Sequence, residues 1–247
     1  MTRDLFSALS HTYRRYRPTY GDGIFTFLAA TAPSRLAAWD CACGSGQATV
    51  NLAMNFDQVV ATDISEQQLA LAPRLANVRY RAEPAERVSL PTGSVDLTFV
   101  GQALHWFDIP LFYDEVRRIS RPKALLAVAS YNLLRIEPGI DALVSHLYSD
   151  ILGKYWAPER GLVETGYASI PFPFAHVCAP AFQMVAQWTL PHLTGYLESW
   201  SASNAYMTEC GENPVDSIRM DLARRWGHPR QVRQIIWPLT LLIGTTR

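Results

Sequence analysis

The sequence predicts an α/β fold built around a mainly parallel sheet. Short apolar runs alternate with helical patterns through the first half of the chain, which is the rhythm of strand–helix–strand units. The run 39–47 is a short apolar strand that reaches a carboxylate, Asp40, and breaks into a glycine turn before a helical pattern. A second apolar run ends on Asp63. Strand, glycine turn, helix, strand and acid together indicate a nucleotide-binding unit.

The predicted elements of the first half follow one another at short intervals. Ser65 is a good N-cap for one helix, which ends before Pro73, and the stretch 91–94 has the composition of a turn. A short helix is also expected before Pro18. The predicted strands are 36–41, 58–62, 78–81, 95–100 and 125–131, and the predicted helices are 24–31, 48–54, 66–72 and 111–119.

The rhythm changes after residue 131. Residues 132–181 contain one helical pattern, 140–151, and a stretch rich in Pro, Gly and aromatic residues. Fifty residues are too many for a simple connection, so we expect this segment to cover a ligand site as a lid or specificity element. The remaining predicted elements are a strand at 182–190, helices at 195–202 and 215–226, and a last strand at 235–245.

Composition narrows the class of protein. Apolar residues make up 49% of the 247 residues and charged residues 18%, which predicts a single globular domain over 1–247. Lys plus Arg and Asp plus Glu number 22 each, so neither nucleic acid nor a membrane surface is expected as a partner. No apolar run approaches the roughly 20 residues of a membrane span, and the first residues lack the apolar core of a signal peptide. We therefore expect a cytoplasmic protein, a monomer or homodimer, and no metal site, because the four cysteines form no paired clusters.

The spacing in the glycine turn decides between kinds of nucleotide. Gly44 and Gly46 let the backbone approach a ligand closely, and N–H groups at a helix start favour negative partners. A dinucleotide fingerprint needs a third glycine that this turn lacks, and no Lys-Ser or Lys-Thr follows as in a P-loop. Asp63 ends the next strand, where a carboxylate can accept hydrogen bonds from ribose hydroxyls. A plain strand-to-helix turn followed by a helix-entry acid remains the alternative.

With these features, the sequence resembles the class I S-adenosylmethionine-dependent methyltransferases. The stretches that carry the resemblance to the class are 40–46, 63, 85–86 and 94–97. The stretches 16–20, 102–107 and 195–201 resemble the small-molecule branch that includes trans-aconitate methyltransferases. The resemblance extends over most of residues 5–245 and is weakest over 132–181. One departure is Ala42, where the family usually carries glycine.

The resemblance implies a fold, a cofactor and a set of roles. The fold is a Rossmann-like sheet of seven strands in the order 3-2-1-4-5-7-6, with strand 7 antiparallel and helices on both faces. The cofactor is S-adenosylmethionine. The methionine part is expected on Asp40, Ala42, Gly44 and Gly46, the ribose on Asp63 and Ile64, the adenine beside Ala85 and Glu86, and the sulfonium over Gly101 and Gln102. The N-terminal segment 1–22 is expected to cover the cofactor through Tyr13 and Arg17.

The acceptor side is less defined by the sequence. His105 follows strand 4, where the catalytic side of such a sheet opens, and can take a proton from a hydroxyl near neutral pH. A carboxylate acceptor needs no base, and a helix-capping role for His105 is the alternative. Residues expected in the acceptor pocket are Trp106, Tyr20, Trp156 and Tyr167, and the candidate cations for an acidic acceptor are Arg14, Arg17, Arg135, Lys154 and Arg160.

We therefore expect a methyltransferase that modifies an oxygen of a small organic acceptor. Nitrogen and carbon acceptors are less favoured. Three other hypotheses remain: a non-catalytic ligand- or partner-binding module of the same fold, a nicotinamide-dependent dehydrogenase, and a nucleic-acid methyltransferase. The spacing of the turn argues against the dehydrogenase, and the balanced charge argues against the nucleic-acid enzyme.

Overall fold

The computed structural model describes residues 16–246 as an eight-stranded sheet with helices on both faces. Tyr13 and Arg14, expected near the ligand, lie outside the described residues. The strands are β1 (Ala37–Cys41), β2 (Gln58–Asp63), β3 (Val78–Ala82), β4 (Val95–Gly101), β5 (Ser120–Tyr131), β6 (Ala175–His176), β7 (Gln183–Trp188) and β8 (Arg233–Thr245). The α-helices are α1 (Asp22–Thr31), α2 (Thr49–Asn55), α3 (Glu66–Ala70), α4 (Ile109–Ile119), α5 (Pro138–His146), α6 (Arg160–Glu164), α7 (Leu190–Glu198), α8 (Ser201–Cys210) and α9 (Asp216–Trp226).

The sheet confirms the predicted order, with a small difference in the number of strands. The order is β3-β2-β1-β4-β5-β8-β6, and β7 also pairs with β8. β1 to β5 are parallel to one another, and β8 runs antiparallel to β5. β8 is long enough to pair with β5 through its second half and with β7 through its first half. The two-residue strand β6 is the addition that the sequence pattern did not predict.

Two other boundaries differ from the sequence prediction. The expected helix 195–202 is the end of α7 and the start of α8, because the chain is extended at Trp200, the N-cap of α8. The helix α7 begins earlier, at Leu190, with Pro191 in its first turn, a position that proline favours. The expected strand 182–190 therefore stops at Trp188.

Alternate residues of the strands build two cores, one on each face of the sheet. In β5, Leu125 and Ala127 belong to one buried cluster, and Leu126 and Val128 belong to the other. This alternation follows from the two-residue period of a strand. β4 and β5 are buried on both faces along most of their length, as expected for central strands of a parallel sheet. Because β1, β2, β4 and β5 are parallel to one another, their carboxyl ends lie at the same edge of the sheet.

The segment 132–181 folds mainly into short helices beside that edge. α5 continues into a π-helical turn, Leu147–Ile151, and a 3-10 turn, Gly153–Tyr155, before α6. The rest of the segment reaches β6 through a stretch that includes Phe172 and Phe174. Within residues 16–246, no helix has both the length and the apolarity that crossing a membrane requires.

Trp237 tests how strongly the β8 packing stabilises the fold. Its side chain is fully buried, its ring lies 4.8 Å from that of Trp188, and its indole N–H donates to the Tyr196 hydroxyl at 3.3 Å. We expect Trp237→Ala to lower the free energy of unfolding by about 3–5 kcal/mol, because it leaves a cavity. Val185→Ala on the neighbouring strand is the control, since Val185 is exposed, and should cost less than about 1 kcal/mol. Urea unfolding followed by circular dichroism measures both, and equal losses would contradict the prediction.

Candidate active site

An open cleft lies where the carboxyl ends of the central strands meet. This first cavity measures about 1250 Å³ including its mouth, a size suited to a small-molecule ligand. Its wall includes the turn after β1, the end of β2, and the residues that follow β4. The residues that line it are Pro18, Tyr20, Asp40, Ala42, Cys43, Gly44, Ser45, Gln47, Ala48, Asp63, Ile64, Ser65, Gln68, Glu83, Ala85, Glu86, Gly101, Gln102, Ala103, Trp106, Phe107 and Tyr131.

The turn after β1 uses the left-handed backbone region three times. Ala42, Gly44 and Gly46 have φ values of 54°, 54° and 81°. For Gly44 and Gly46 this conformation costs nothing, whereas for Ala42 the Cβ makes it unfavourable by roughly 1–2 kcal/mol. A Cβ on Gly46 would lie 3.0 Å from Pro73 and 3.2 Å from the Tyr80 hydroxyl. Gly46 therefore packs the turn against the chain after α3 and does not line the cavity.

Asp63 links this turn to the end of the second strand. One carboxylate oxygen accepts the Gly44 N–H at 2.8 Å, and the other accepts the Ser65 N–H at 2.9 Å. Ser65 in turn caps α3 by accepting the Gln68 N–H at 3.3 Å. The Cys43 N–H donates to the Thr62 carbonyl at 2.9 Å, and the Gly46 N–H donates to that of Cys43. The expected N–H groups of the turn are thus largely occupied by the protein itself.

Asp40 is a buried acid at the floor of the cavity. Its side chain is 1% exposed, and one of its oxygens accepts the Thr49 hydroxyl at 2.5 Å. Burial raises the pKa of this carboxyl from 3.8 to about 7; the Thr49 hydrogen bond opposes the rise, and the charge of Asp63 adds to it. Near neutral pH the carboxyl is therefore divided between its charged and neutral forms, so a cation beside it would favour ionisation.

The end of β4 is locked to the end of β5 by one side chain. The Gln102 amide donates to the Tyr131 carbonyl at 2.8 Å and accepts the Tyr131 N–H at 2.9 Å. Gln102 has a φ of 57°, an unfavourable value that these two bonds help to hold. At the preceding residue, Gly101, a Cβ would lie 2.8 Å from the Tyr20 hydroxyl. The absence of a side chain at Gly101 thus lets Tyr20 close over the end of β4.

A second cavity of about 700 Å³, its mouth included, adjoins the first. Gln102, Trp106 and Tyr131 line both cavities. The second cavity is largely aromatic and carries two arginines, while no Asp or Glu is among the described residues of its wall. Its remaining lining residues are Arg17, His105, Asn132, Leu133, Trp156, Ala157, Arg160, Tyr196, Trp200 and Ser201.

His105 faces this second cavity in its neutral form. Its Nδ1 lies 3.0 Å from the Tyr167 hydroxyl. Burial, and secondly the charge of Arg160, lower the pKa of His105 from 6.5 to about 4. Tyr167 is 1% exposed and has a φ of 62°, a strained conformation for a bulky residue. Burial raises the pKa of Tyr167 well above its usual value, so the pair is uncharged at neutral pH.

The structure distributes the sequence-predicted residues between the two cavities. Arg17 lies at the second cavity, where its guanidinium donates to the Ser199 carbonyl at 3.4 Å and stands 5.5 Å from the centroid of the Tyr196 ring. Tyr20, expected at the acceptor, lines the first cavity, and Tyr167 lies behind His105 and lines neither. The first cavity also contains Asp40, Ala42, Gly44, Asp63, Ile64, Ala85, Glu86, Gly101 and Gln102; the second contains His105 and Trp156; Trp106 lines both.

Sequence reasoning missed several lining residues. Tyr131 ends β5, and the rule that ligands bind at the carboxyl ends of parallel strands would have found it. Gln68 lies in the predicted helix 66–72 and Phe107 ends the stretch 102–107, but neither was assigned to the site. Asn132 and Leu133 follow Tyr131 directly and line the second cavity for the same reason.

Comparison with known proteins agrees with this arrangement. Residues 39–128 match the family described as a methyltransferase domain. A Dictyostelium discoideum protein described as a methyltransferase is 35% identical over 227 residues, which are 90% of this chain and 86% of that protein. A solved structure from Anaeromyxobacter dehalogenans, described as a type II methyltransferase, has a TM-score of 0.89 and 40% identity, and the match covers 94% of this chain and 98% of that one. The malonyl-[acyl-carrier protein] O-methyltransferase of Dechloromonas aromatica is 28% identical over 61% of this chain and 58% of its own length.

The fold and the matches together define a class of protein, the methyltransferases with a Rossmann-like domain. This chain belongs to the S-adenosylmethionine-dependent methyltransferase family, and it is an enzyme whose cofactor is S-adenosylmethionine.

Ala42 offers a test of the strain in the turn. We expect Ala42→Gly to raise the free energy of unfolding by about 1 kcal/mol, because glycine adopts a φ of 54° without a steric cost. The same substitution within a helix, Ala53→Gly in α2, is the matched control and should lower it by about 1 kcal/mol. Urea titration gives both values, and a loss of stability in Ala42→Gly would show that the turn is not strained at this residue.

His105 offers a test of its environment. With a pKa of about 4, its ring should stay neutral from about pH 6 to pH 8, where an ordinary histidine changes its charge. Proton NMR of the imidazole signals across this range, with His105→Gln to assign the signal, should show no titration. A midpoint between about pH 6 and 7 would mean that the ring is more hydrated than its contacts imply.

Proposed function

We propose that the first cavity binds S-adenosylmethionine and that the second holds a small organic acceptor whose oxygen receives the methyl group. The observation that carries this proposal is the wall shared by the two cavities. Gln102, Trp106 and Tyr131 line both, at the carboxyl ends of β4 and β5. A donor and an acceptor bound in adjoining cavities would meet at this wall, as in-line methyl transfer requires.

The charges of the first cavity suit this cofactor. Its described lining contains four carboxylate side chains, those of Asp40, Asp63, Glu83 and Glu86, and neither Lys nor Arg. S-adenosylmethionine carries a sulfonium and an ammonium against one carboxylate, so the acidic lining complements its net positive charge. The Ser45 hydroxyl oxygen is buried, and no hydrogen-bond partner is found for it within residues 16–246. A ligand in the cavity would supply one.

Within the first cavity, the proposed roles follow the resemblance. Asp40 and the turn with Ala42, Gly44 and Gly46 would hold the methionine part, although Gly46 would act through packing. Each carboxylate oxygen of Asp63 accepts one backbone N–H and keeps further acceptor capacity for ribose hydroxyls. The other assignments are Ile64 beside the ribose, Ala85 and Glu86 beside the adenine, and Gly101 and Gln102 beneath the sulfonium.

The size and walls of the second cavity favour a small acceptor. Its volume of about 700 Å³ includes open space, and five of its thirteen lining residues are Trp or Tyr. The segment 132–181 supplies Trp156 and Arg160 to this wall, and the N-terminal segment 1–22 supplies Arg17. These contributions support the proposed roles of the two segments in covering the site. Among the branches of the family, we propose that this chain is functionally most similar to the trans-aconitate methyltransferases.

The acceptor atom is proposed to be an oxygen. A relative with this chemistry is the O-methyltransferase that acts on malonyl-[acyl-carrier protein], which matches 61% of this chain. When bound, S-adenosylmethionine supplies a methyl carbon whose bond to sulfur breaks as the acceptor oxygen donates an electron pair. Trp106 and Tyr131 would align the two reactants and exclude water from them.

Whether the protein must also remove a proton depends on whether the acceptor oxygen carries one. A carboxylate is already ionised at neutral pH, so alignment alone would suffice. For a hydroxyl acceptor, the His105 ring could accept the proton at Nε2 in the tautomer whose Nδ1–H donates to the Tyr167 hydroxyl, which also orients the ring. A base with a pKa of about 4 is weak in the free protein. Turnover with a panel of small acids and phenols tests which kind of acceptor the second cavity takes.

Asp63 tests the assignment of the first cavity. We expect Asp63→Ala to weaken the binding of S-adenosylhomocysteine at least tenfold, since the ribose would lose a charged acceptor worth about 1.5–3 kcal/mol. Asp57→Ala is the matched control, because Asp57 is an exposed acid outside the lining of both cavities. Isothermal titration measures the affinity, and thermal melts establish that both variants fold. An affinity for Asp63→Ala within about twofold of the wild type would remove the ribose role.

A further inference from the structure

The second cavity has an unbalanced positive charge. Arg160 lines it, and in the part of the chain that the structure describes, 16–246, no carboxylate pairs with this guanidinium. The guanidinium donates to two neutral acceptors: the Tyr148 hydroxyl at 2.8 Å from Nε and the Asn132 side-chain oxygen at 3.0 Å from one terminal nitrogen. The arginines that do pair with carboxylates are Arg117, Arg118, Arg121, Arg219, Arg224 and Arg233.

The protein holds the Arg160 guanidinium in a fixed orientation. The guanidinium carbon lies 5.4 Å from the centre of the Trp156 ring and 5.5 Å from that of Tyr148. The Tyr148 hydroxyl also donates to the Glu164 carboxylate, and the Trp156 indole N–H donates to the Tyr148 carbonyl at 3.0 Å. Within the described residues, the second terminal nitrogen, Nη1, has no acceptor. Aromatic contacts and two hydrogen bonds thus fix the orientation of the guanidinium. The N–H groups of Nη1 are available to bind a ligand.

The aromatic residues around it present ring faces and edges to the cavity, because Trp156 and Tyr196 are inclined to Trp200 by 54° and 81°. The rings of Trp156 and Trp200 lie 5.5 Å apart, and Tyr196 lies 5.8 Å from Trp200. Trp106 continues this surface to the boundary with the first cavity. A flat aromatic body can pack against such rings at little cost in conformational entropy. Arg160 lies at one end of this aromatic surface, and the boundary with the first cavity lies at the other. These two features define where the two ends of a ligand would lie.

We propose that the second cavity is specific for an aromatic acid, with its carboxylate bound by Arg160 and a separate oxygen, a ring hydroxyl, presented at Trp106 for methylation. This inference rests on the proposed acceptor role of the second cavity. The carboxylate is the recognition group because an ion pair with a guanidinium draws electron density from its oxygens and makes them poor nucleophiles. The ring hydroxyl is the accepting group, and its proton passes to His105 while its oxygen bonds to the methyl carbon and the sulfur leaves with the electron pair.

A carboxylate on Arg160 would also change the imidazole. The charge of Arg160 is one of the causes that lower the pKa of His105. An anion paired with that guanidinium opposes this effect, so the ring becomes a stronger base only when the acid is bound. Binding of the carboxylate therefore raises the basicity of His105, the residue that takes the proton from the hydroxyl of the same ligand.

The experiment compares three acids with their amides. The probes are para-hydroxybenzoate, para-hydroxyphenylacetate and para-hydroxycinnamate, which differ in the distance between hydroxyl and carboxylate, and the corresponding neutral amides. Binding is followed by isothermal titration with and without saturating S-adenosylhomocysteine. We expect at least one acid to bind about tenfold more tightly than its amide, as a charge-assisted contact predicts. If no acid binds at millimolar concentration, or if the amides bind as tightly as the acids, the proposal is overturned.

Variants of one residue locate the contact. We expect Arg160→Met to weaken acid binding about tenfold or more and to change amide binding less than about twofold, whereas Arg160→Lys should keep part of the acid preference. Arg224→Met is the control, because Arg224 is exposed on α9 and lines neither cavity. If Arg160→Met does not fold by thermal melting, Arg160→Lys decides: a reduced acid preference supports the contact, and an unchanged one contradicts it. Unchanged acid affinity in the folded Arg160 variants overturns the proposal.

A second readout separates this inference from the proposed function. Acid binding should shift the NMR titration midpoint of His105 upward, whereas amide binding should not; an identical midpoint in both complexes contradicts the carboxylate contact. Failure of the wild type to bind S-adenosylhomocysteine would instead contradict the assignment of the first cavity. The comparison of acid and amide without that ligand would still test the carboxylate site.

Discussion

The Asp63 carboxylate is the contact on which the shape of the first cavity depends. Its two oxygens hold the Gly44 N–H of the turn after β1 and the Ser65 N–H at the start of α3. A charged acceptor with two backbone donors makes stronger bonds than a neutral one. These bonds hold the turn after β1 next to the end of β2, although the positive φ of Ala42 is sterically unfavourable. Together with the hydrogen bond from the Cys43 N–H to the Thr62 carbonyl, this carboxylate joins the loops after β1 and β2.

The two cavities are distinguished by charge as well as by position. Four carboxylates line the first, and two arginines line the second. This separation is a property of the folded chain, since the sequence as a whole has equal numbers of positive and negative residues. Clefts lined by one sign of charge attract ligands of the other sign. Opposite charges on adjoining cavities would therefore direct the cationic donor and the proposed anionic acceptor to different places.

The sequence predicted the features that depend on local spacing. The glycine turn and Asp63 at the end of a strand follow from short patterns, whereas the order of the strands was implied by the family resemblance; the fold class and the cofactor were confirmed. Features that depend on contacts between distant residues were not predicted. Gln102 meets Tyr131 across 29 positions, and Arg160 was one of five candidate cations until its place beside Trp156 set it apart. The boundary at Trp200 was missed because the pattern there gave no signal of an extended residue.

The wall shared by Gln102, Trp106 and Tyr131 has a thermodynamic consequence. A ligand that restricts Trp106 from one side spends conformational entropy that a ligand on the other side then need not spend. Thermodynamic linkage makes the coupling free energy the same in both directions. If the bound donor raises the affinity for the acceptor by some factor, the bound acceptor raises the affinity for the donor by the same factor. If the two cavities bind donor and acceptor as proposed, loss of either molecule would weaken the binding of the other, and the departure of one product would favour the departure of the second.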